Sequence, residues 1–441
     1  MLTKPGPVRD GTIGSSLVGL RSALNLAKPP ARHFAGLDLG RREAGADTEA
    51  GADTTAAGAR ATPGAATTIG AGRPESIAVI VPIYLRPKRA ADIASAMLAD
   101  PYHMKTLVLV VDGDTNEEIE AALIPFRGRA EIRYNGQRLG KTESLMRACT
   151  GRREDIFLFL DNDVALPKDG DFLSRLAGLM EDGDLSDLPK EAIGEGLLSR
   201  LAGYEFLTTA IAEQVLAVVA GRCPAVMGAA LAVRRELFER VGGFRKVLCE
   251  DTDFGARAFR HHARFVFDRR LKVATEAPAR FVDWINQRRR WALGNLEWLK
   301  EYFLIVLHHA FKSPSFLLSA ILLFLPALIF PAIFLAMKSL RLSVLLPLVY
   351  MLAGRFDMTA GLFLWMAHLR LAFVEGALST FAGFLASATI YFGCSKIFRF
   401  RFGILDYFIF YFVYSPLWVV SNLVVWLLAA LGLDPKPDWK T

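Results

Sequence analysis

The chain has 441 residues, 52% of them hydrophobic, and a formal net charge of +7, which leaves room for two or three domains. Its basic excess lies beside apolar segments, which argues against a nucleic-acid surface and for a bilayer flank. Cys149, Cys223, Cys249 and Cys394 are far apart with no Cys-x-x-Cys or Cys/His ligand spacing, so they exclude a disulfide frame and a structural zinc site and point to a reducing compartment.

Residues 1–74 read as a mostly disordered leader. Within it "GLDLGRREAGADTEAGADTTAAGARATPGAATTIGAGR" (36–73) offers too little large apolar surface to offset its ordering entropy. The first thirty residues lack a sustained apolar core, so no secretory signal is expected. Order begins at "SIAVIVPIY" (76–84), an apolar β-branched run that predicts a buried strand. A helix is expected over 88–99, a strand at "TLVLVVDGD" (106–114), helix 116–126, strand 131–134, helix 141–149 and strand "DIFLFLD" (155–161). Strand–helix alternation with near-continuous apolar strands predicts a parallel sheet covered on both faces. Ligands of such sheets sit in the crevice beyond the carboxyl ends of the strands, and Asp112 and Asp161 stand at those ends.

Residues 168–203 are acidic and glycine-bearing and read as a mobile insertion or loop. Helix 204–220, strand 225–233, helix 234–241, helix "DTDFGARAFRHHA" (251–263) and strand "RFVFD" (264–268) are expected next. Residues 280–311 read as amphipathic helices at a bilayer interface, with Trp284, Trp291 and Trp298 as headgroup-level anchors. The uncharged segments 316–337, 376–395 and 407–433 are long enough to cross a bilayer, whereas 342–354 and 358–369 are short and split by Arg355 and Asp357. Arg269, Arg270, Lys272, Arg288, Arg289 and Arg290 precede these segments, and Lys396, Arg399 and Arg401 lie between two of them. Basic flanks mark the cytoplasmic side, so an integral membrane protein with a cytoplasmic front half is expected.

In "FLDNDVAL" (159–166), Asp161 and Asp163 flank Asn162. A turn accounts for them. So does a metal-bound diphosphate: side chains at i and i+2 of an extended segment share a face, and Mg²⁺ or Mn²⁺ takes one or two carboxylates together with phosphate oxygens. Asp112 suits a base and ribose pocket. "GKTESL" (140–145) opens a helix with a Gly and Lys141, a suitable phosphate contact. "CEDTDFG" (249–255) puts Glu250, Asp251 and Asp253 at a helix start, where the dipole favours them; alternatively Asp251 takes a proton from an acceptor hydroxyl. In "QRRRW" (287–291), Gln287 and Arg290 share a helix face. Arg290 suits charge building on a diphosphate leaving group, and Trp291 can stack on an acceptor sugar; a basic bilayer flank is the plainer reading of the same residues. The order along the chain, VDGD, DND, EDTD and then QRRRW, ties these pieces together.

Through "VIVPIY", "VDGD", "GKTESL", "DND", "RRELFERVGGF", "EDTD", "TEAP" and "QRRRW", the chain resembles the membrane-embedded family 2 glycosyltransferases, which include cellulose, chitin and hyaluronan synthases. The resemblance covers roughly residues 76–300, and "PDWKT" looks like the family's terminal Trp-x-Thr element. It implies an α/β GT-A type (Rossmann-like) domain at 75–280, interfacial helices with QRRRW at 281–313 and a C-terminal α-helical transmembrane region at 314–441. It further implies inverting transfer in one displacement. Asp251 would be the base, Asp112 would contact the nucleotide base, and Asp161 and Asp163 would serve the diphosphate and Mg²⁺ or Mn²⁺. Gln287, Arg290 and Trp291 would line the acceptor and leaving-group site. The expected activity is polysaccharide elongation from a nucleotide-sugar donor, most readily a UDP-sugar, at the cytoplasmic membrane face. Its partners would be a glycan or lipid-linked acceptor and the lipid bilayer, with no nucleic acid, and an export partner is left open. A single transfer onto a lipid acceptor is the alternative of like chemistry. A membrane transporter or inactive scaffold is the alternative of another class, because Arg355, Asp357, Arg370 and Glu375 lie inside the apolar half.

Overall fold

Four strands set the frame, three with buried, nearly unbroken apolar sequences, β1 (Ile77–Ile83), β2 (Lys105–Val111) and β4 (Ile156–Leu160), and a more polar, partly exposed edge strand, β3 (Glu131–Tyr134). They run parallel in the order β3-β2-β1-β4. The computed structural model describes residues 74–168, 170–312 and 358–433. The expected leader up to residue 73, the apolar segment 316–337, the short segment 342–354 and "PDWKT" lie outside the described residues.

Alternation along β1 feeds two core layers, as side chains on a strand point to opposite faces. Ile77, Val79, Val81 and Ile83 pack in a layer with Ile93 and Met97 of α1 (Ala90–Ala99) and Leu176 of α4 (Phe172–Met180). Ala78 and Ile80 belong to the other layer, with Leu145 of α3 (Lys141–Cys149), Leu207 of α5 (Leu197–Val219), Phe238 of α6 (Arg235–Val241) and Phe254 of α7 (Glu250–Arg260). Between β2 and β3, α2 (Glu117–Leu123) starts at Asn116, whose side chain accepts the Ile119 N–H at 2.9 Å, an N-cap that satisfies a free helix donor.

The sheet is mixed, which corrects the expected all-parallel arrangement. β8 (Ala230–Arg234) pairs antiparallel with β4 and with β6 (Leu185–Asp187). Leu160 faces Ala230 in this register, so the chain enters β8 from the carboxyl end of β4. Residues 225–229, expected as strand, are the loop that makes this approach. Residues 168–203 are no loop either: α4, β6, β7 (Lys190–Ile193) and the start of α5 occupy most of them, with Leu173, Leu176, Met180 and Leu188 fully buried. "RFVFD" makes an isolated bridge between Phe265 and Leu185 in place of a strand. A second sheet of order β5-β9-β7 joins β5 (Val164–Ala165), β9 (Val273–Glu276) and β7.

Residues 281–312 form one helix, α8 (Phe281–Lys312), rather than several. Trp284 and Trp298 are buried in the protein, not set at a headgroup level. Trp284 Nε1 donates to Tyr414 Oη at 2.9 Å. After α9 (Met358–Phe398) come α10 (Ile404–Ile409), a π-helical turn at Phe410–Tyr414 and α11 (Ser415–Ala430). Val374–Phe398 and Ile404–Ala430 are long and apolar enough to cross a membrane, and Leu378, Phe381, Ile390, Leu405, Leu423 and Leu427 project exposed from them. The turn between these helices meets the α/β domain. Lys272 Nζ donates to Arg399 O at 2.6 Å, Tyr204 Oη donates to Gly403 O at 2.9 Å, and Arg200 pairs with Asp406 at 3.0 Å.

An ionic cluster anchors α7 to α8. Asp253 is buried and accepts from Arg245 Nε at 3.0 Å, Arg257 Nε at 2.8 Å and Tyr302 Oη at 2.8 Å. Burial alone would raise its carboxyl, but the Arg245 hydrogen bond and the Arg257 charge outweigh burial and hold it below the usual range. A depressed folded value makes the contribution complete above the unfolded aspartate value of about 4, and it is lost as pH falls through the folded value. The melting temperature is therefore expected to drop below about pH 4, and Asp253→Asn to flatten that acid limb in thermal scans across pH.

Candidate active site

The site is assembled where β1, β2 and β4 end and the β8 loop crosses them. Asp112, just past β2, is buried, and its Oδ1 accepts the Leu139 N–H at 2.8 Å and its Oδ2 the Gly140 N–H at 2.9 Å. Gly140 has φ of +90° at the start of α3, a left-handed conformation that glycine adopts without a Cβ penalty. Asp112 thus shapes the turn that presents Lys141.

Lys141 Nζ lies 2.7 Å from Asp161 Oδ1 and 3.1 Å from Glu250 Oε1. Burial would lower this ammonium's pKa, yet Asp161, Glu250 and Asp251 together lift it well above the ordinary lysine value. Burial raises the Glu250 carboxyl above its usual range; the Lys141 charge opposes that rise and Asp251 adds to it.

Asp161 ends β4 with its N–H donating to Ala229 O at 2.9 Å. The Asp161–Asp163 segment turns instead of extending, because Val164 N–H donates to Asp161 O at 3.1 Å. That corrects the shared face expected of an extended pair. The two carboxylates take different cations, Asp161 pairing with Lys141 and Asp163 with Lys88 Nζ at 3.0 Å. Each lysine occupies one oxygen. Among the described residues, none hydrogen-bonds Asp161 Oδ2 or Asp163 Oδ1. Nor is any group of three or more His, Cys, Asp or Glu side chains there spaced to hold a metal. Two hard oxygen donors with the rest left to water and substrate suit Mg²⁺ or Mn²⁺, which are usually held by one or two carboxylates plus phosphates.

Asp251 sits in the first turn of α7, with Oδ2 accepting the Gly228 N–H at 2.6 Å and Oδ1 the Thr252 N–H at 2.7 Å. From α8, Gln287 Oε1 accepts from Arg288 Nη1 at 3.0 Å, and the Arg288 guanidinium lies 4.3 Å from the centre of the Trp291 ring. Arg290 is exposed on the same helix. One cleft of about 1560 Å³ is lined by all eight expected residues, Asp112, Lys141, Asp161, Asp163, Asp251, Gln287, Arg290 and Trp291. Lys88, Gly228, Glu250 and Arg288 line it as well.

Residues 156–432, more than half of the chain, match the family model described as Glycosyl transferase family group 2. The chain belongs to this family. The match runs from β4 through α11, so it takes in the apolar helices and the cleft residues from Asp161 onward, while Lys88, Asp112 and Lys141 precede it. Among solved structures, this glycosyltransferase is similar to the mannosyltransferase PcManGT from Pyrobaculum calidifontis in complex with GDP-Man and Mn²⁺, at 18% identity and a TM-score of 0.44, covering 69% of this chain and 87% of that one. It is also similar to S. aureus TarS 1-349 in complex with UDP-GlcNAc, at 15% identity and a TM-score of 0.35, over 50% of this chain and 66% of that one. A comparison with curated protein sequences gave no match.

Several cleft residues of the glycosyltransferase carry weak sequence signals or none. Lys88 lies in an ordinary turn between β1 and α1, and its partner is 75 positions away. Gly228 stands within a run that reads as strand. A close approach is its only mark: a Cβ there would fall 2.8 Å from Asp251 Cβ. Arg288 hides among three arginines, of which it alone is buried.

Proposed function

We propose that this glycosyltransferase elongates a polysaccharide from a UDP-sugar, with inversion, at the cytoplasmic face of a membrane. The observation that carries the reading is the convergence of Asp112, Lys141, Asp161, Asp163, Asp251 and the Gln287–Trp291 segment on one cleft. Its volume exceeds the roughly 300–1,000 Å³ of a single small-ligand site, leaving room for donor and acceptor sugars together.

In this reading Asp251 removes the proton from an acceptor hydroxyl as that oxygen bonds to the anomeric carbon. The bond from that carbon to the diphosphate breaks on the opposite side, and UDP departs with the electron pair. Arg290 and Lys141 offset the negative charge that develops on the leaving group. Asp161 and Asp163 would hold Mg²⁺ or Mn²⁺, which when bound neutralises diphosphate charge. Asp112 fixes the wall against which the nucleotide rests, by way of Leu139 and Gly140. Trp291 and Trp418 of α11 both line the cleft, and they supply aromatic faces on which acceptor sugars can stack. The apolar helices support membrane attachment. Their connecting turn carries Arg399 and Arg401 and touches the α/β domain, which favours a cytoplasmic domain by the positive-inside rule.

Membranes bearing the protein, supplied with labelled UDP-GlcNAc, UDP-Glc, UDP-GlcA or GDP-mannose, should form a high-molecular-weight product from one UDP-sugar. A product extended by one residue on a lipid would replace the polymer reading with single transfer. Absence of both transfer and UDP binding would end the donor assignment. Chelation by EDTA is expected to stop transfer reversibly, with Mn²⁺ or Mg²⁺ restoring it; full activity in chelator would remove the metal role of Asp161 and Asp163.

A further inference from the structure

At the floor of the cleft, which Lys190 helps to line, three ionisable side chains are buried together. Asp187 closes β6, Lys190 opens β7 and Glu213 comes from α5; their exposures are 0%, 4% and 1%. Asp187 Oδ1 pairs with the Lys190 ammonium, and the Glu213 carboxyl is buried beside this pair, its Oε1 without a hydrogen-bond partner among the described residues. The remaining Asp187 oxygen, Oδ2, accepts the Met227 N–H at 2.5 Å. The next peptide N–H, that of Gly228, is the one donated to Asp251 Oδ2 at 2.6 Å. Two consecutive backbone donors therefore connect a buried carboxylate on one side with the cleft carboxylate on the other.

The connection has little slack. A Cβ on Gly228 would lie 2.8 Å from Asp251 Cβ and 2.9 Å from its Oδ2, and a Cβ on Gly255 of α7 would lie 2.9 Å from Val226 N. The loop is wedged between α7 and β6 with no space for a side chain at either contact. A shift of Asp187 would carry the Met227–Gly228 peptide, and with it the hydrogen bond that orients Asp251.

We propose that Asp187, Lys190 and Glu213 are positioning residues for Asp251, acting through the Met227–Gly228 peptide. The inference rests on the reading of Asp251 as the base. Lys190 supplies the counter-charge without which a fully buried carboxylate is strongly destabilising. Glu213, 1% exposed and with Oε1 left unpartnered among the described residues, is the neutral donor in this arrangement. Burial and then the Asp187 charge push its carboxyl well above the usual range, with Lys190 opposing the shift, and two carboxyl groups in contact share a proton instead of both ionising. A neutral acid donating to Asp187 locks its rotamer while adding no charge to the interior.

The test compares Glu213→Gln, Glu213→Met and Asp187→Asn in membranes, with transfer kinetics, UDP affinity and thermal stability measured for each. Glu213→Gln keeps a neutral donor of the same shape and should retain wild-type kcat. Glu213→Met removes the donor and should lower kcat on the order of 10- to 100-fold, the scale of a displacement near 1 Å, with the donor KM and UDP affinity unchanged. Equal kcat for the Gln and Met variants would overturn the proposal, because a purely structural role moves stability without this split. Should Glu213→Met fail to fold, Asp187→Asn decides, since its single oxygen cannot serve both Lys190 and the Met227 N–H: retained UDP affinity with reduced kcat supports the connection, and wild-type kcat defeats it. Asp251→Asn in the same series separates the two levels. Undiminished transfer there removes the base itself, whatever the Glu213 variants do.

Discussion

Asp251→Asn is expected to lower sugar transfer by about 10²–10⁴-fold, the usual contribution of a general base, with UDP binding unchanged. The substitution is nearly isosteric, and the amide oxygen can still accept the Gly228 N–H that the carboxylate accepts at 2.6 Å. The Thr252 N–H, accepted by the other carboxylate oxygen at 2.7 Å, loses its acceptor, but the side-chain shape is kept while basicity is lost. Glu250 is the adjacent carboxyl, but it is engaged with Lys141 at 3.1 Å, and burial raises its pKa toward the neutral acid. It is thus poorly placed to substitute. Measuring turnover of labelled donor beside UDP titration distinguishes a lost base from a lost fold. Wild-type turnover in Asp251→Asn would move the base elsewhere in the cleft.

The parts of the fold that the sequence makes legible are those where local pattern and burial agree. "IAVIVPI" and "TLVLVV" are apolar on both faces because helices cover both sides of their sheet, and a run of that kind reads as strand without further information. The 168–203 segment misleads because composition counts charges without their partners. Asp187 and Lys190 look like solvated loop residues, yet they neutralise each other in the interior. Tryptophans mislead for a related reason: an indole with an apolar body and one N–H suits a bilayer interface and a core equally, and only the Tyr414 hydroxyl, 130 positions away, decides Trp284. In "EDTD", Asp251 lines the cleft and Asp253 is enclosed by two arginines and a tyrosine. Residues two apart on a helix point to different sides, so a helix start was readable but the division of labour needed Arg245 and Tyr302. The cleft-lining carboxylates and Lys141 were nameable from their positions at strand ends and helix starts, whereas Lys88, which pairs with Asp163, comes from a distant segment and leaves no local trace.

Arg288→Ala is expected to destabilise the protein by about 3–5 kcal/mol, the cost of leaving one member of a buried ion pair without its partner. Arg288 is 2% exposed and pairs with Glu205 of α5, itself 7% exposed. Its Nη2 also donates to Tyr414 Oη at 2.9 Å, and that hydroxyl donates to Glu205 at 2.9 Å. Removal of the guanidinium leaves the Glu205 carboxylate buried against a single hydroxyl. Replacing both partners with methionine should cost less than the Arg288 change alone, because no unpaired charge remains; a double-mutant cycle in thermal or denaturant unfolding measures the difference. The same residue holds Gln287 by a hydrogen bond and lies under Trp291, so a folded Arg288→Met variant should show a raised KM for acceptor with donor affinity retained. Tyr414 ends the π-helical turn that begins α11, and π-turns often sit at functional positions. Arg288 therefore joins the helix lining the cleft to the apolar helices, alongside Trp426 Nε1 on Ala292 O at 2.9 Å, and a displacement of α11 against α5 would reach the cleft-lining side chains through this guanidinium. Unchanged stability in Arg288→Ala would mean that Glu205 finds another partner and that the joint carries no load.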